Sequence, residues 1–327
     1  EVAGGMRKIG LMLPYTGLHQ LLLGDLGRPI VLTSGNLSDE PIAVEGAEAQ
    51  LRLGGIADGF LHHDRRIRSR YEDSVVTVVD GGPVLLRRGR GYAPRPLPLP
   101  VPAPEPVLSV GAQLKHTFAI TVGGRAHLAG HTGDLEDAAT LDAYQGNLAH
   151  LRALLAVEPA WVAHDQHPGY LSTQEAVAAY PPGRRIAVQH HHAHVAACLA
   201  EHGRTGPVVG VALDGLGLGD DGTLWGGEVL VADLLGYRRV GRFGRAPLPG
   251  GAAAVRQPWR MALGYLFAAE PDPGDGADPG ADPDWCDPGP FLARLDPTAV
   301  AVIRRQLRRG INAPVASSAG RLFDAAS

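Results

Sequence analysis

Seven prolines at alternate positions in APRPLPLPVPAPEP, residues 93–106, constrain this chain more than any other feature. Proline fixes φ near −65° and has no N–H to donate, so neither a helix nor a central strand can run through such a stretch. The segment therefore reads as a stiff, extended linker and as the clearest boundary in the sequence. It separates a short first domain, 1–98, from a longer second one, 107–327, with 99–106 as the linker. Two domains are also what 327 residues suggest at roughly 150 residues per domain.

The composition excludes more than it identifies. With 30 basic and 34 acidic residues the net charge is −4, which does not mark a general nucleic-acid binder. Hydrophobic residues make up 45%, enough for sizeable cores, and no stretch approaches the ~20 apolar residues of a membrane span. The N-terminus lacks the pattern of a signal peptide. Cys198 and Cys286 are the only cysteines, which rules out a disulfide framework or a four-thiolate zinc site. A soluble, cytoplasmic globular protein is expected, and both ends read as cut rather than finished. Only Lys8 and Lys115 among the 30 basic residues are lysines, so arginines carry little signal here and a lysine carries more.

The patterning is that of an α/β protein. In the first domain, Leu18–Leu23 reads as helix and GRPIVLTSGN as a short buried strand with a polar exit. AVEGAEAQLRLGGI reads as a helix stopped by Gly54 and Gly55, and DSVVTVVDGGPVLLRRGRGY as a hairpin turning at Asp80-Gly81-Gly82. In the second, a hairpin turns at Gly123-Gly124 and a long helix covers LEDAATLDAYQGNLAHLRALLAV. Strands at PAWVAHD, RRIAVQ and GPVVGVALDG alternate with helices at LSTQEAVAAY, with a Ser/Thr cap, and HHAHVAACLAEHG. The Pro/Gly/Asp run at 271–289 reads as a mobile loop, and AGRLFDAAS as a final helix.

Four motifs carry chemistry. In QHHHAH, a helix beginning near Gln189 puts His190 and His194 one turn apart on one face, the spacing of two imidazoles on one divalent transition metal. A solvated histidine-rich helix start has the same sequence. Asp214, at the C-terminal end of the next strand, is the carboxylate that could complete the site. In LDGLGLGDDGTLWGGE, the alternate glycines Gly215, Gly217 and Gly219 would expose backbone N–H groups to a phosphate, unless they only shape a hairpin. Lys115, in VGAQLKHTFAI, could neutralise a phosphate or a developing charge, or simply be exposed. Ser34 and Asn36, in TSGNLSDEP, could grip a phosphoryl oxygen or merely close a turn. Eight arginines against four acidic residues in 61–100 form a basic patch that suits a nucleotide, an acyl phosphate or RNA, or a solvated face. There is no GxSxG elbow and no Cys–His pairing for covalent hydrolysis.

Taken in order, MLPYTGLH, VLTSGNLSDEPI, LLRRGRGYAP, SVGAQLKHTFAI, HDQHPGYLST, QHHHAHVAACLAEH, ALDGLGLGDDGTLWGGE, QPWRMAL and GINAPVASSAGRLFDA resemble the HypF carbamoyltransferase family along essentially the whole chain. The resemblance implies the C-terminal half of a YrdC-like domain over 1–98 and the first lobe of a TsaD-like, actin/hexokinase-superfamily domain over 107–327. It also implies the activity: carbamoyl phosphate and ATP give carbamoyl adenylate, and the carbamoyl group passes to the C-terminal cysteine of a partner, HypE, for cyanide-ligand synthesis in [NiFe] hydrogenase maturation. By matching position, His190 and His194 become ligands of iron or zinc, with Asp214 as third ligand or phosphate-site acid. Magnesium would accompany ATP. Ser34 and Asn36 fall in the nucleotide site with Arg70, Arg87 and Arg88 as phosphate neighbours, and Lys115 faces the same nucleotide region. The family's acylphosphatase-like, zinc-module and second TsaD-like segments have no counterpart in this sequence, so a fragment weak or inactive in the full reaction is expected. An O-carbamoyltransferase of a small hydroxylated metabolite and a non-catalytic nucleotide-, RNA- or partner-binding chain are the competing readings.

Overall fold

Residues 5, 7–37, 40–268 and 288–327 are described by the computed structural model. Thr16 accepts the His19 N–H and starts α1 (Gly17–Leu26), which ends at Gly27 in the left-handed region, φ 59°. Helix α2 (Gly46–Leu53) is closed by Gly54. Strands β1 (Val75–Val79) and β2 (Gly82–Arg87) form the expected hairpin. Its central residues Asp80 and Gly81 have φ of 50° and 77°, the mirror-image turn whose twist matches that of the strands. The strand expected at GRPIVLTSGN does not form. Ile30, Val31 and Leu32 are 40%, 76% and 54% exposed, and among the described residues no strand lies beside them. Its β-branched residues favour extension, but an extended segment becomes a strand only when a neighbour takes up its N–H and C=O groups.

The second part is built on two sheets. The first comprises β3 (Leu97–Pro98), β4 (Val107–Ser109), β5 (Ala119–Val122) and β6 (Arg125–Leu128). Helix α3 (Ala138–Leu155) then leads to β7 (Trp161–Asp165), and α4 (Leu171–Ala179) with a 3₁₀ turn leads to β8 (Arg185–Val188). The order is β3-β6-β5-β4-β7-β8, with β4, β7 and β8 parallel and the remaining pairs antiparallel. The proline run lies along the edge of this sheet. Besides β3, the Leu99 and Ala103 N–H groups donate to Gly124 O and Gly123 O at 2.8 Å. Alternation makes this possible: every second residue keeps an N–H to donate, while the prolines need none. Tyr144 of α3, 1% exposed, stacks edge-on against Phe118 in the core beneath, which also holds Leu108, Ile120 and Val162.

A single residue, Gln189, joins β8 to α5 (His190–Glu201), its side chain accepting the His192 N–H at 2.9 Å. The second sheet follows with β9 (Val208–Leu218), β10 (Leu224–Ala232), β11 (Tyr237–Arg242) and β12 (Ala246–Pro247). Helices α6 (Ala252–Arg256), α7 (Pro258–Ala268), α8 (Gly289–Leu292) and α9 (Pro297–Arg308) precede β13 (Val315–Ala316) and α10 (Ala319–Ala326). β10 pairs antiparallel with β9 and β11 and parallel with β13. Helix α5 packs Val195 and Leu199 against Trp225, Leu230 and Ala232.

Two further expectations change. The strand expected to end at Asp214 continues to Leu218, so Asp214, Gly215 and Gly217 lie inside β9 and Gly219 directly follows it. The Ser/Thr cap expected for α4 is absent: Tyr170 is the N-cap, without a side-chain bond. Ser172 and Thr173 are buried and donate instead to Gly111 O, Ala112 O and Asp165 O, tying α4 to the sheet. Most of the 271–289 loop lies outside the described residues.

Candidate active site

The two sheets meet at the start of α5. Asp165 ends β7 and pairs in register with Val188, the last residue of β8, so it stands beside the point where the chain turns into the helix. Its Oδ2 is 2.6 Å from His190 Nδ1. Asp214 arrives from the second sheet. Between the pairs Leu213–Gly227 and Gly217–Trp225, the residues Asp214, Gly215 and Leu216 oppose Gly226 alone. Such a bulge re-aims side chains, and here Asp214 Oδ2 comes to 3.0 Å from His190 Nε2 and 3.9 Å from His194 Nε2. The two imidazole Nε2 atoms are 3.2 Å apart. One atom each of His190, His194 and Asp214 thus falls within 4.8 Å of the others.

The neighbouring histidines are used differently. His191 is fully buried beside Trp225, with ring centroids 6.0 Å apart, and His192 Nε2 lies 2.8 Å from Asp233 O. Charge in the cluster is correspondingly uneven. Burial opposes protonation of His190, but its hydrogen bonds with Asp165 and Asp214 outweigh burial and raise its pKa to about 9. Burial, reinforced by the charge on His190, lowers His191 to about 4 and moves His194 downward as well. For Asp214, burial pushes upward, yet the hydrogen bond and charge of His190 win and its pKa falls.

The glycines have a structural purpose that their spacing did not disclose. A Cβ at Gly217 would lie 2.7 Å from the rings of both His190 and His191, and one at Gly219 would lie 2.0 Å from the Trp225 indole. These two positions are open so that β9 can approach the histidines and the tryptophan. Two of the N–H groups expected to be free are engaged: Gly215 N–H, within β9, donates to Asp214 Oδ1 at 2.6 Å, and Gly219 N–H, in the turn that follows, donates to Thr223 O at 2.9 Å. A Cβ at Gly215 would meet nothing within 4 Å. Ser318, at the start of α10, donates to the Gly215 carbonyl and accepts the Arg321 N–H, fastening the helix to the bulge.

Lys115 lies elsewhere. With Asn36, Arg70, His131 and Thr140 it lines a cleft between the first part of the chain and the first sheet, bordered by Glu40, Glu72 and Asp134; neither the paired histidines nor Asp214 line it. Its backbone is left-handed, φ 48°, and its N–H donates to Asp134 Oδ1 at 2.6 Å. The Asn36 amide closes its own turn on Leu37 O and Glu40 O, while its Oδ1 is buried without a partner. Arg70 Nε donates to Ile42 O at 2.8 Å. Arg87 is paired with Glu72 at 3.2 Å, and Arg88 holds Tyr92 O and Arg95 O; neither lines the cleft. Ser34 is exposed and also lies outside the cleft lining. Sequence reasoning missed Asp165. The signal was available, since a carboxylate ending a parallel strand beside the one that feeds the histidine helix sits where α/β sheets place their ligands.

Family models match the chain in three pieces: "Telomere recombination" (Sua5/YciO/YrdC) over 1–89, "HypF Kae1-like domain" over 102–201, and "Carbamoyltransferase, Kae1-like Domain, second subdomain" over 210–327. Carbamoyltransferase HypF2 of Cupriavidus necator is 44% identical over 100% of this chain and 41% of its own length. Carbamoyltransferase HypF of Rhodobacter capsulatus is 44% identical over 99% of the chain and 42% of its own. A crystal structure of full-length HypF in the phosphate- and nucleotide-bound form superposes with TM-score 0.87 at 40% identity, over 97% of this chain and 48% of that one. T. kodakarensis HypF superposes with TM-score 0.84 at 33% identity, over 98% and 42%. The chain therefore spans about two fifths of the length of the curated relatives it matches.

Proposed function

Because this chain belongs to the HypF carbamoyltransferase family, an α/β protein with YrdC-like and Kae1/TsaD-like parts, we propose that it serves carbamoyl transfer in hydrogenase maturation. The carbamoyl group of carbamoyl phosphate, activated with ATP as carbamoyl adenylate, is delivered to the C-terminal cysteine thiol of HypE. That a relative 40% identical was solved with phosphate and nucleotide bound supports an anion-binding role for the same fold.

The observation that carries the reading is the convergence of His190 and His194 from α5 and Asp214 from β9 onto one point. The donor set fits a divalent cation such as iron or zinc: two imidazole nitrogens and a carboxylate oxygen face one another, and beside them His191 Nε2 is buried without a hydrogen-bond partner. His190, His194 and Asp214 would hold the ion, which when bound supplies Lewis-acid stabilisation of charge on a carbamoyl or phosphate oxygen. Around it, α5 fixes the spacing of the imidazoles and the bulge in β9 fixes the carboxylate, while the open side of Gly215 leaves room for a ligand backbone or phosphate. In the cleft, Asn36, Arg70 and Lys115 offer an amide and two cations to the nucleotide, with magnesium accompanying ATP; the cations offset charge on the phosphates and on a departing adenylate. The acceptor thiol comes from the partner, so the chain needs no nucleophile of its own.

Metal analysis after dialysis and calorimetric titration with ATP test the reading. His190→Ala and His194→Ala should each abolish zinc or iron retention, and Asn36→Ala and Arg70→Ala should weaken ATP binding. Undiminished metal content in both histidine variants would refute the ligand set. Carbamoylation of a small hydroxylated acceptor in place of the HypE cysteine would reassign the substrate.

A further inference from the structure

Asp165 is absent from the ligand set, yet both of its oxygens are committed. Oδ1 accepts the His167 N–H at 2.8 Å and Oδ2 lies 2.6 Å from His190 Nδ1. The side chain is 6% exposed, and its own carbonyl accepts the Thr173 hydroxyl at 3.2 Å, so the group is held from several directions. Asp165 belongs to the first sheet and Asp214 to the second. The two nitrogens of the His190 ring are therefore gripped by carboxylates from different sheets.

An ionised carboxylate only accepts hydrogen bonds. A contact of 2.6 Å thus requires a proton on Nδ1; by the same rule the 3.0 Å contact with Asp214 holds a second proton on Nε2 of the metal-free ring, and it is this one that a cation shared with His194 and Asp214 would displace. From this geometry we infer that Asp165 is the positioning residue for His190, fixing its Nδ1–H tautomer and ring orientation so that Nε2 is the ligating atom. The inference rests on the reading of His190, His194 and Asp214 as a divalent-cation site and adds a residue that acts through His190. It also makes the first sheet a working part of a site whose carboxylate ligand comes from the second. Carboxylates that orient a ligating imidazole typically account for 10–100-fold in metal affinity.

Asp165→Asn separates this role from a structural one. The asparagine oxygen can still accept the His167 N–H, but its amide presents a donor to His190 Nδ1, and the imidazole proton then belongs on Nε2. Zinc titration of the metal-depleted chain should show affinity about 10–100-fold weaker in Asp165→Asn, with an unchanged far-UV circular dichroism spectrum. Long-range proton–nitrogen spectra of the zinc-loaded parent should show the remaining His190 proton on Nδ1. If the parent binds zinc, His190→Ala loses it and Asp165→Asn keeps it with parental affinity, the role of Asp165 is overturned while the ligand set stands. A parent that binds no zinc, or a His190→Ala variant that binds like the parent, overturns the ligand set and this inference with it. Should Asp165→Asn not fold, the spectrum decides alone: zinc on Nδ1 of His190 overturns the inference, and a proton there supports it.

Discussion

At the scale of single residues, the smallest side chains are the most sharply determined. Gly217 and Gly215 lie two positions apart in one strand with opposite requirements. Gly217→Ala would press a methyl group against two imidazole rings, an overpacking that costs about 1–3 kcal/mol. It should lower both the melting temperature and zinc retention, while Gly215→Ala, with open space at its Cβ, should change stability by less than about 1 kcal/mol. Equal effects on denaturation and metal content would show that the strand does not approach the histidines as described. His116 gives a pH-dependent prediction. It is 1% exposed, packs edge-on against Tyr144 and lies 2.7 Å from Val110 O; burial, with the nearby charge of His131, lowers its pKa to about 4. Above the ordinary pKa near 6.5 it contributes no pH dependence. As pH falls from 6.5 toward 4, the unfolded chain takes up a proton that the folded chain refuses, and stability falls by up to about 3 kcal/mol. Urea midpoints between pH 7 and 4.5 should show this slope, and His116→Gln should flatten it.

At the scale of elements, the same kind of cap does different work in different places. Asp137 accepts the Thr140 N–H at the start of α3, and its loss in Asp137→Ala should cost about 1 kcal/mol, as for an ordinary cap. Ser318 caps α10 but is also fully buried and bonded to the carbonyls of Asp214 and Gly215. Ser318→Ala therefore loses the cap and leaves a buried carbonyl poorly served, which should cost about 2–3 kcal/mol. Because that carbonyl belongs to the bulge that aims Asp214, metal retention should fall with it. Equal melting temperatures for the two variants would contradict the coupling of α10 to the bulge. Within the second sheet, Glu228 of β10, fully buried, accepts from Arg239 at 2.6 Å and from Ser317, so β10, β11 and the approach to α10 are joined by one polar network.

At the scale of the whole molecule, apolar burial is distributed unevenly. Among the described residues before 107 only Gly89 and Ala93 are buried, whereas each sheet of the second part carries its own core. Leu11, Val31, Leu51, Leu61 and Leu86 are all more than half exposed. Opening free energy follows buried apolar contact, so the two parts should differ in protection. In native-state hydrogen exchange the amides of β1 and β2 should exchange at least about 100-fold faster than those of β4 and β7. Uniform protection across both would mean that the first part is stabilised by something other than apolar burial.

What the sequence determined by itself was local. The hairpin at Asp80-Gly81, the helices over Leu18–Leu23 and HHAHVAACLAEHG, and the one-turn spacing of His190 and His194 follow from backbone preferences and side-chain chemistry within a few residues, and the structure has them. Tertiary structure decided what depends on neighbours distant in the chain. The run at 30–32 is as β-prone as any, but has no strand beside it among the described residues, because pairing is a property of two segments. Asp214 was legible as a carboxylate near the histidines, but not as a mid-strand residue aimed by a bulge, because the bulge exists only in the register of β9 against β10. Lys115 joins Asn36 and Arg70 because the fold brings these residues of the first part beside Thr140, Ala143 and Asn147 of α3. Asp165 reaches His190 because parallel pairing aligns the ends of β7 and β8. Composition and spacing name the groups; hydrogen-bond register and packing choose which of them meet.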